Sequence, residues 1–178
     1  YTIWGILIIC PWILTSCDMF HEDLPECRLF VKFKYDYNML FTDAFHTQVD
    51  KVELYVFDKD GKFLFSQVEE GEALATGNYQ MEVKLPIGEY QFLAWAGARD
   101  SYDIYTPRGE NTITDMRLRL KREESLIISK ELEPLWYGYI SDVDFTGTSH
   151  QTEKIDLIKD TNKIRFCLLY TSPSPRDG

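Results

Sequence analysis

Apolar and polar residues alternate with a period of two along several stretches of the chain. In the stretch 29–37 the odd positions are Leu, Val, Phe, Tyr and Tyr, and lysine or aspartate fills positions 32, 34 and 36. The stretches 79–85 and 116–121 alternate in the same way. A period of two is the repeat of a β-strand with one buried face. Strands are therefore predicted over these three stretches and over 52–57, 63–68, 89–96, 126–128, 135–140, 154–158 and 162–166.

The residues between these stretches have the chemistry of turns. Asp58-Lys59-Asp60-Gly61 separates two predicted strands, and its glycine can take the positive φ that tight hairpin turns need. Pro86-Ile87-Gly88 separates the next pair. One short helix is predicted over 42–48, and residues 97–114 are predicted to form a long loop. Residues 29–166 are thus expected to form one all-β domain, a mostly antiparallel β-sandwich.

An uncharged apolar run precedes the domain and ends at Leu14-Thr15-Ser16-Cys17. Small residues directly before a cysteine are typical of bacterial lipoprotein signals, in which the thiol receives the lipid. The run 3–14 has the length of a signal h-region and is shorter than a membrane span. Residues 1–16 are therefore predicted to be a signal peptide truncated at its start, with Cys17 as the acylated N-terminus of the mature protein. A buried or membrane helix with an incidental cysteine is the alternative.

Acidic residues are concentrated directly after Cys17, over the stretch 17–28, which is predicted to be a linker. Acidic residues near an acylated cysteine resemble the surface-export signal of Bacteroidetes lipoproteins, although a solvated linker has a similar composition. The whole chain has a formal net charge of -10. This charge argues against nucleic-acid binding and against adsorption to anionic lipid, since both need a basic surface.

The remaining cysteines give little support for disulfides. Cys10 leaves with the signal and Cys17 carries the lipid, so that Cys27 and Cys167 remain. Residues 167–178 resemble translated adapter sequence and are treated as a non-native tail, outside the fold. The prediction is a domain without disulfides, with a Cys27–Cys167 bridge as the alternative.

No motif for catalysis or for a cofactor stands out. The acidic turn that ends at Gly61 is not an EF-hand loop, because with Gly61 at loop position six the positions that need carboxylates are Val56 and Gln67. A plain hairpin is favoured for this turn, with a less regular calcium site as the alternative. His21, His46 and His150 lack metal-ligand spacing. The chain is therefore not expected to be an enzyme or to hold a metal.

The basic stretch 117–122 is interpreted as the solvent-exposed face of a strand, with a docking patch for an acidic partner as the alternative.

Aromatic side chains raise one binding hypothesis. Trp95, Trp136 and Tyr137 could stack on a sugar if their rings were exposed in a row. Packing between sheets or under a long loop is the more usual role for such residues in a sandwich. Glycan binding therefore stays as an alternative function.

Several blocks in order resemble the FimB-type fimbrial anchor family. They are Phe33-Lys34-Tyr35-Asp36-Tyr37-Asn38-Met39, Asp43-Ala44-Phe45-His46, the stretch 52–61, the stretch 85–97 and Asp160-Thr161-Asn162-Lys163-Ile164-Arg165. The resemblance runs over about residues 17–166, behind the lipoprotein signal. Blocks in this order are more specific than any one of them alone.

The resemblance implies a transthyretin-like β-sandwich, usually two in tandem, in a lipoprotein at the base of Bacteroidetes fimbriae. Such proteins anchor the fimbrial shaft to the outer membrane and influence fibre length, and they have no catalytic residues. Subunits assemble by strand complementation, a form of β-augmentation. The expected partners are a fimbrial shaft subunit and the outer membrane, with Cys17 as the lipid attachment site. A second domain is expected outside this chain.

Overall fold

The computed structural model describes residues 27–105, 112–121 and 131–162. Nearly all regular structure in these ranges is β-strand, with one four-residue helix, α1 (Phe45–Gln48), and two 3₁₀ turns, Glu72–Thr76 and Ile113–Asp115. The strands are β1 (Leu29–Lys34), β2 (Lys51–Asp58), β3 (Phe63–Glu70), β4 (Met81–Val83), β5 (Gly88–Ala96), β6 (Tyr102–Tyr105), β7 (Arg117–Leu120), β8 (Trp136–Phe145), β9 (Gln151–Asp156) and β10 (Ile158–Lys159).

Two sheets face each other around one core. The larger sheet has the order β10-β8-β5-β2-β3, and the smaller one has the order β4-β1-β9. Their pairings are antiparallel except for β1 and β9, which run parallel. Alternate residues of both sheets fill the core, among them Leu29, Val31, Phe33, Leu54, Val56, Phe92, Trp136, Phe145 and Ile155. The all-β, mostly antiparallel sandwich predicted from the alternation is confirmed. The closer likeness to transthyretin stays a prediction.

Strand β2 is buried on both of its faces because a third layer covers the larger sheet. Strands β6 and β7 form a two-stranded antiparallel ribbon. Ile104 of the ribbon packs with Tyr55, Phe57 and Leu93 on the outer face of the larger sheet. The predicted long loop over 97–114 is therefore wrong in part, since β6 lies inside it. Its four residues are too few for a periodic signal, and their pairing with β7 is long-range.

The predicted strand 154–158 is two strands in different sheets. Strand β9 pairs with β1, and β10 pairs with β8 across the sandwich. Leu157 lies between them, is buried, and donates its backbone N–H to the carbonyl oxygen of Lys34 at 2.7 Å. The apolar residue at 157 continues the alternation of β9, which hides the change of sheet from the sequence.

Other boundaries also differ from the prediction. Strand β1 ends at Lys34 rather than at 37, because the Asp43 carboxylate accepts the backbone N–H of Tyr35 at 3.0 Å and the chain turns into a loop. Strand β4 is shorter than 79–85, and β8 continues from 140 to Phe145 through pairing with β5. The short helix near 42–48 and the hairpin at 58–61, where Gly61 has a φ of 78°, are confirmed. The predicted strand 126–128, most of 162–166 and the tail 167–178 lie outside the described residues.

Candidate functional site

The two ends of the described chain lie at opposite poles of the sandwich. At one pole the chain enters β1 at Leu29, close to Cys27, whose exposed thiol donates to the carbonyl oxygen of Gly147 at 2.7 Å. At the other pole, Asp160 donates its backbone N–H to the Leu135 carbonyl oxygen at 2.8 Å. Cys17 and Cys167 lie outside the described residues, so the lipid site and the alternative disulfide stay predictions. Polypeptide that precedes residue 27 reaches the domain at the first pole.

The three aromatic residues of the glycan hypothesis do not share a surface. Trp136 is 1% exposed and belongs to the core between the sheets, where Tyr35 packs edge-on against its ring at 5.8 Å. Trp95 and Tyr137 lie on the opposite, outer face of the larger sheet. The row of three exposed rings that the glycan hypothesis needs is therefore not formed, because neighbouring residues of a strand point to opposite faces and Trp136 packs between the sheets.

Trp95 and Tyr137 form a pair on the outer face. Their ring centroids lie 4.9 Å apart and both side chains are half-buried. Burial, and secondarily the nearby Tyr139 phenol, raises the pKa of Tyr137 above its ordinary value. Tyr139 is more exposed, and its hydroxyl donates to the Gln91 side-chain oxygen at 2.7 Å. The rings of this cluster are therefore only partly exposed to solvent, and they form no open surface on which a sugar could stack.

Two side chains of the basic stretch 117–122 make contacts within the domain, and Arg119 is exposed. The Arg117 guanidinium donates to the carbonyl oxygens of Thr114 and Met116. Lys121 forms an ion pair with Asp103 across the β6–β7 ribbon at 3.3 Å. Arg122 lies outside the described residues. These contacts favour the solvated strand face over a docking patch.

Metal ligation finds no support in the part of the chain that the structure describes. No group of three His, Cys, Asp or Glu side chains there could hold a metal ion. His150 packs its ring on Phe30 with centroids 4.6 Å apart, and His46 lies on α1. No helix among residues 27–105, 112–121 and 131–162 is long and apolar enough to span a membrane.

Strand β3 forms a long open edge on the larger sheet. It has eight residues and pairs with β2 on one side only within the described chain. The opposite edge strand, β10, has two residues. Leu64 and Val68 are exposed by 43% and 49%. A long edge strand with exposed apolar side chains is suited to pairing with a strand of another chain.

An apolar loop follows β1 at the pole where the described chain ends. Its four large side chains project into solvent: Tyr37 is exposed by 81%, Met39 by 94%, Leu40 by 71% and Phe41 by 91%. Sequence reasoning placed Tyr37 on the buried face of the first strand, which is wrong. Residues of these types normally fill cores, so composition gave no signal for an exposed cluster.

Asn38 gives this loop its shape. Its side-chain amide donates to the carbonyl oxygens of Tyr35 at 3.0 Å and Thr42 at 2.7 Å, and its side-chain oxygen accepts the backbone N–H of Leu40 at 2.9 Å. Phe41 has a φ of 51°, which non-glycine residues seldom adopt. The loop is therefore held in one shape by a hydrogen-bonded asparagine, and it presents its apolar side chains outward.

Comparison with known proteins gives the family. The family model of the fimbrillin-A associated anchor proteins Mfa1 and Mfa2 matches residues 24–178. The chain belongs to this family. The resemblance to fimbrial anchors drawn from the sequence blocks is thereby confirmed.

Individual relatives agree with the family. The minor fimbrium anchoring subunit Mfa2 of Porphyromonas gingivalis is 27% identical over 129 residues, which cover 70% of this chain and 40% of that protein. A crystal structure from Bacteroides thetaiotaomicron, of a protein proposed to bind polysaccharide, is 70% identical with a TM-score of 0.72 over 75% of this chain and 48% of that one. The structure of Mfa2 from P. gingivalis shares the fold, with a TM-score of 0.64 at 21% identity over 74% of this chain and 50% of that one. The chain thus spans about half the length of these relatives.

Proposed function

We propose that this chain is the membrane-proximal part of a surface lipoprotein that anchors a fimbrial shaft to the outer membrane and influences fibre length. The observation that carries the proposal is the match of the anchor-family model over residues 24–178. The lipid is attached at Cys17, and the acidic stretch 17–28 links it to β1. Because β1 begins at one pole, the domain stands on its linker with the opposite pole away from the membrane.

The proposed partner is a fimbrial shaft subunit, which joins by strand complementation. Strand β3 is the edge that best fits this role, because it is the longest edge strand in the described chain and carries exposed apolar side chains. An incoming strand would pair with the backbone of β3, and contacts with Leu64 and Val68 would set its register.

The first test compares Cys17→Ala with wild type in the native host, using the tagged product of the complete gene. Wild type is expected in the outer-membrane fraction together with a shaft subunit identified by mass spectrometry. Cys17→Ala is expected to lose membrane retention and to shed fibres into the medium, because the variant lacks the residue to which the lipid is attached. Cys27→Ala is the matched control, since it removes an exposed thiol ten positions further along the chain and is expected to behave as wild type.

Glycan binding is the second candidate function. It is favoured by the 70% identical B. thetaiotaomicron structure, which is described as a protein proposed to bind polysaccharide. The residues on this chain that it would use are Trp95 and Tyr137 on the outer face of the larger sheet. Membrane retention with bound polysaccharide and no shaft subunit in the same purification would replace the anchoring proposal with this one.

A further inference from the structure

The apolar loop and the end of the described chain lie side by side. The loop leaves β1 at Tyr35, which packs on Trp136 at the start of β8. The end of the described chain is held at Leu135, the residue that precedes Trp136. The backbone N–H of Leu135 donates to the Thr161 hydroxyl at 3.0 Å. Polypeptide that continues beyond Asn162 therefore starts next to the loop.

We infer that the loop, with its exposed side chains Tyr37, Met39, Leu40 and Phe41, is the seat of a second half of the protein that follows Asn162. This chain matches only about half of each relative named above, so each relative has a further segment of about the same length. A half tethered beside the loop meets it at high effective concentration, so a modest apolar contact suffices for stable packing. This packing is independent of whether the protein anchors a fimbria.

The local charges and the position of the loop disfavour a lipid surface as the occupant. Asp43 lies at one end of the loop, and its carboxylate is repelled by anionic headgroups, whereas the charge of Asp36 at the other end is offset by an ion pair with Lys34. The loop also lies at the far end of β1 from the entry of the chain, a distance of about 20 Å for six residues of strand. The linker that leads back to Cys17 meets the domain at the other pole.

The shape of the loop fits a permanent contact. Asn38 holds the loop through two donated hydrogen bonds and one accepted hydrogen bond before any partner arrives. Preorganisation of this kind lowers the entropy lost when side chains are buried at an interface. Four uncharged side chains in a fixed arrangement call for an apolar cleft on the facing half.

Cysteine reactivity tests the inference directly. Met39→Cys and, as a second site, Leu40→Cys would be made in the 178-residue chain and in the product of the complete gene. Alkylation by a maleimide at each site is followed by peptide mass spectrometry, which separates these sites from the native cysteines. We expect alkylation to be slower by about tenfold or more in the complete product, because a packed interface protects the thiol.

Ile87→Cys is the matched control, because Ile87 is also a large exposed apolar residue but lies near Cys27, at the pole where the chain enters. Its alkylation rate is expected to be the same in both lengths of chain. Equal rates at positions 39 and 40 in both lengths would overturn the inference. Protection that arises only after a shaft subunit is added, or only with phospholipid vesicles, would overturn it as well and would assign the loop to that partner. The membrane retention of Cys17→Ala tests anchoring separately.

Discussion

Gly97 lies where the backbone runs against Pro134 and the ring of the buried Trp136. Its φ is +73°, and a Cβ built there would overlap the carbonyl oxygen of Pro134 and lie 2.8 Å from Cζ3 of Trp136. Gly77 has a similar φ of +72° but has open space around the Cβ position. The two glycines thus separate the cost of an unusual backbone conformation from the cost of steric overlap.

Gly97→Ala is expected to lower the free energy of unfolding by about 3 kcal/mol or more, because conformational strain and overlap add. Gly77→Ala, the control, is expected to cost about 1 kcal/mol through strain alone. Urea unfolding monitored by tryptophan fluorescence measures both values. Equal losses in the two variants would show that the space around Gly97 can relax.

At the scale of the element, the alternation of apolar and polar residues predicted a strand well where one face of the strand is buried along its whole length. Strand β1 is of this kind. Strands β2 and β5, which the third layer also covers, were predicted as well, and the predicted and observed bounds of all three differ at most by a few residues. Short strands were missed because their stability comes from long-range pairing, as in β6. The apolar loop was missed for another reason: Tyr37 continues the alternation of β1 beyond the point where Asp43 caps the strand.

For the candidate site, the sequence alone supports a hypothesis only at the covalent motif, which stays a prediction. Cys17 is defined by the residues that directly precede it, so sequence was sufficient for that hypothesis. The open edge of β3 depends on which strands are neighbours, and the sequence pattern of β3 is the same for an edge and for a central strand. Trp136 and Tyr137 are adjacent in sequence, yet only the structure shows which of them points into the core.

A charge on the edge of β3 tests its proposed role. Val68→Lys is expected to weaken binding of the shaft subunit by about tenfold or more, because a lysine on an edge strand opposes the addition of another strand. Ile158→Lys makes the same kind of change on β10, the opposite edge of the same sheet, and is expected to bind as wild type. Binding of purified shaft subunit to immobilised variants gives the affinities. A larger loss with Ile158→Lys would move the proposed edge to β10.

For the whole molecule, buried phenols link stability to alkaline pH. Burial, with an additional contribution from the Glu69 carboxylate, raises the pKa of Tyr79 above its ordinary value of 10.0, and its hydroxyl donates to Glu69 at 3.1 Å. Burial also raises the pKa values of Tyr90, Tyr102 and Tyr137. Above pH 10 the unfolded chain loses protons that the folded domain keeps. Stability contributed by these groups is therefore complete below pH 10 and falls as the pH rises further.

The free energy of unfolding is expected to fall as the pH rises above 10, and Tyr79→Phe is expected to make this fall shallower. The variant loses its hydrogen bond to Glu69 at neutral pH, so its advantage is in the slope and not in the absolute stability. Tyr105→Phe, at an exposed position of β6, is the control and is expected to keep the wild-type slope. Urea titrations at several pH values give these slopes. An unchanged slope in Tyr79→Phe would remove Tyr79 from the explanation.

The parallel pairing of β1 with β9 has a mechanical consequence. The chain enters at the start of β1 and leaves just after the end of β9, at the opposite pole, so tension between residues 27 and 162 pulls the two strands in opposite directions along their length. Once the two-residue β10 detaches, the load falls on all six register pairs between β1 and β9 at once. Hydrogen bonds loaded together in shear must break together, whereas those of a peeled hairpin break one after another. The parallel pair of β1 and β9 is thus expected to resist tension along the chain, because its hydrogen bonds are loaded in shear.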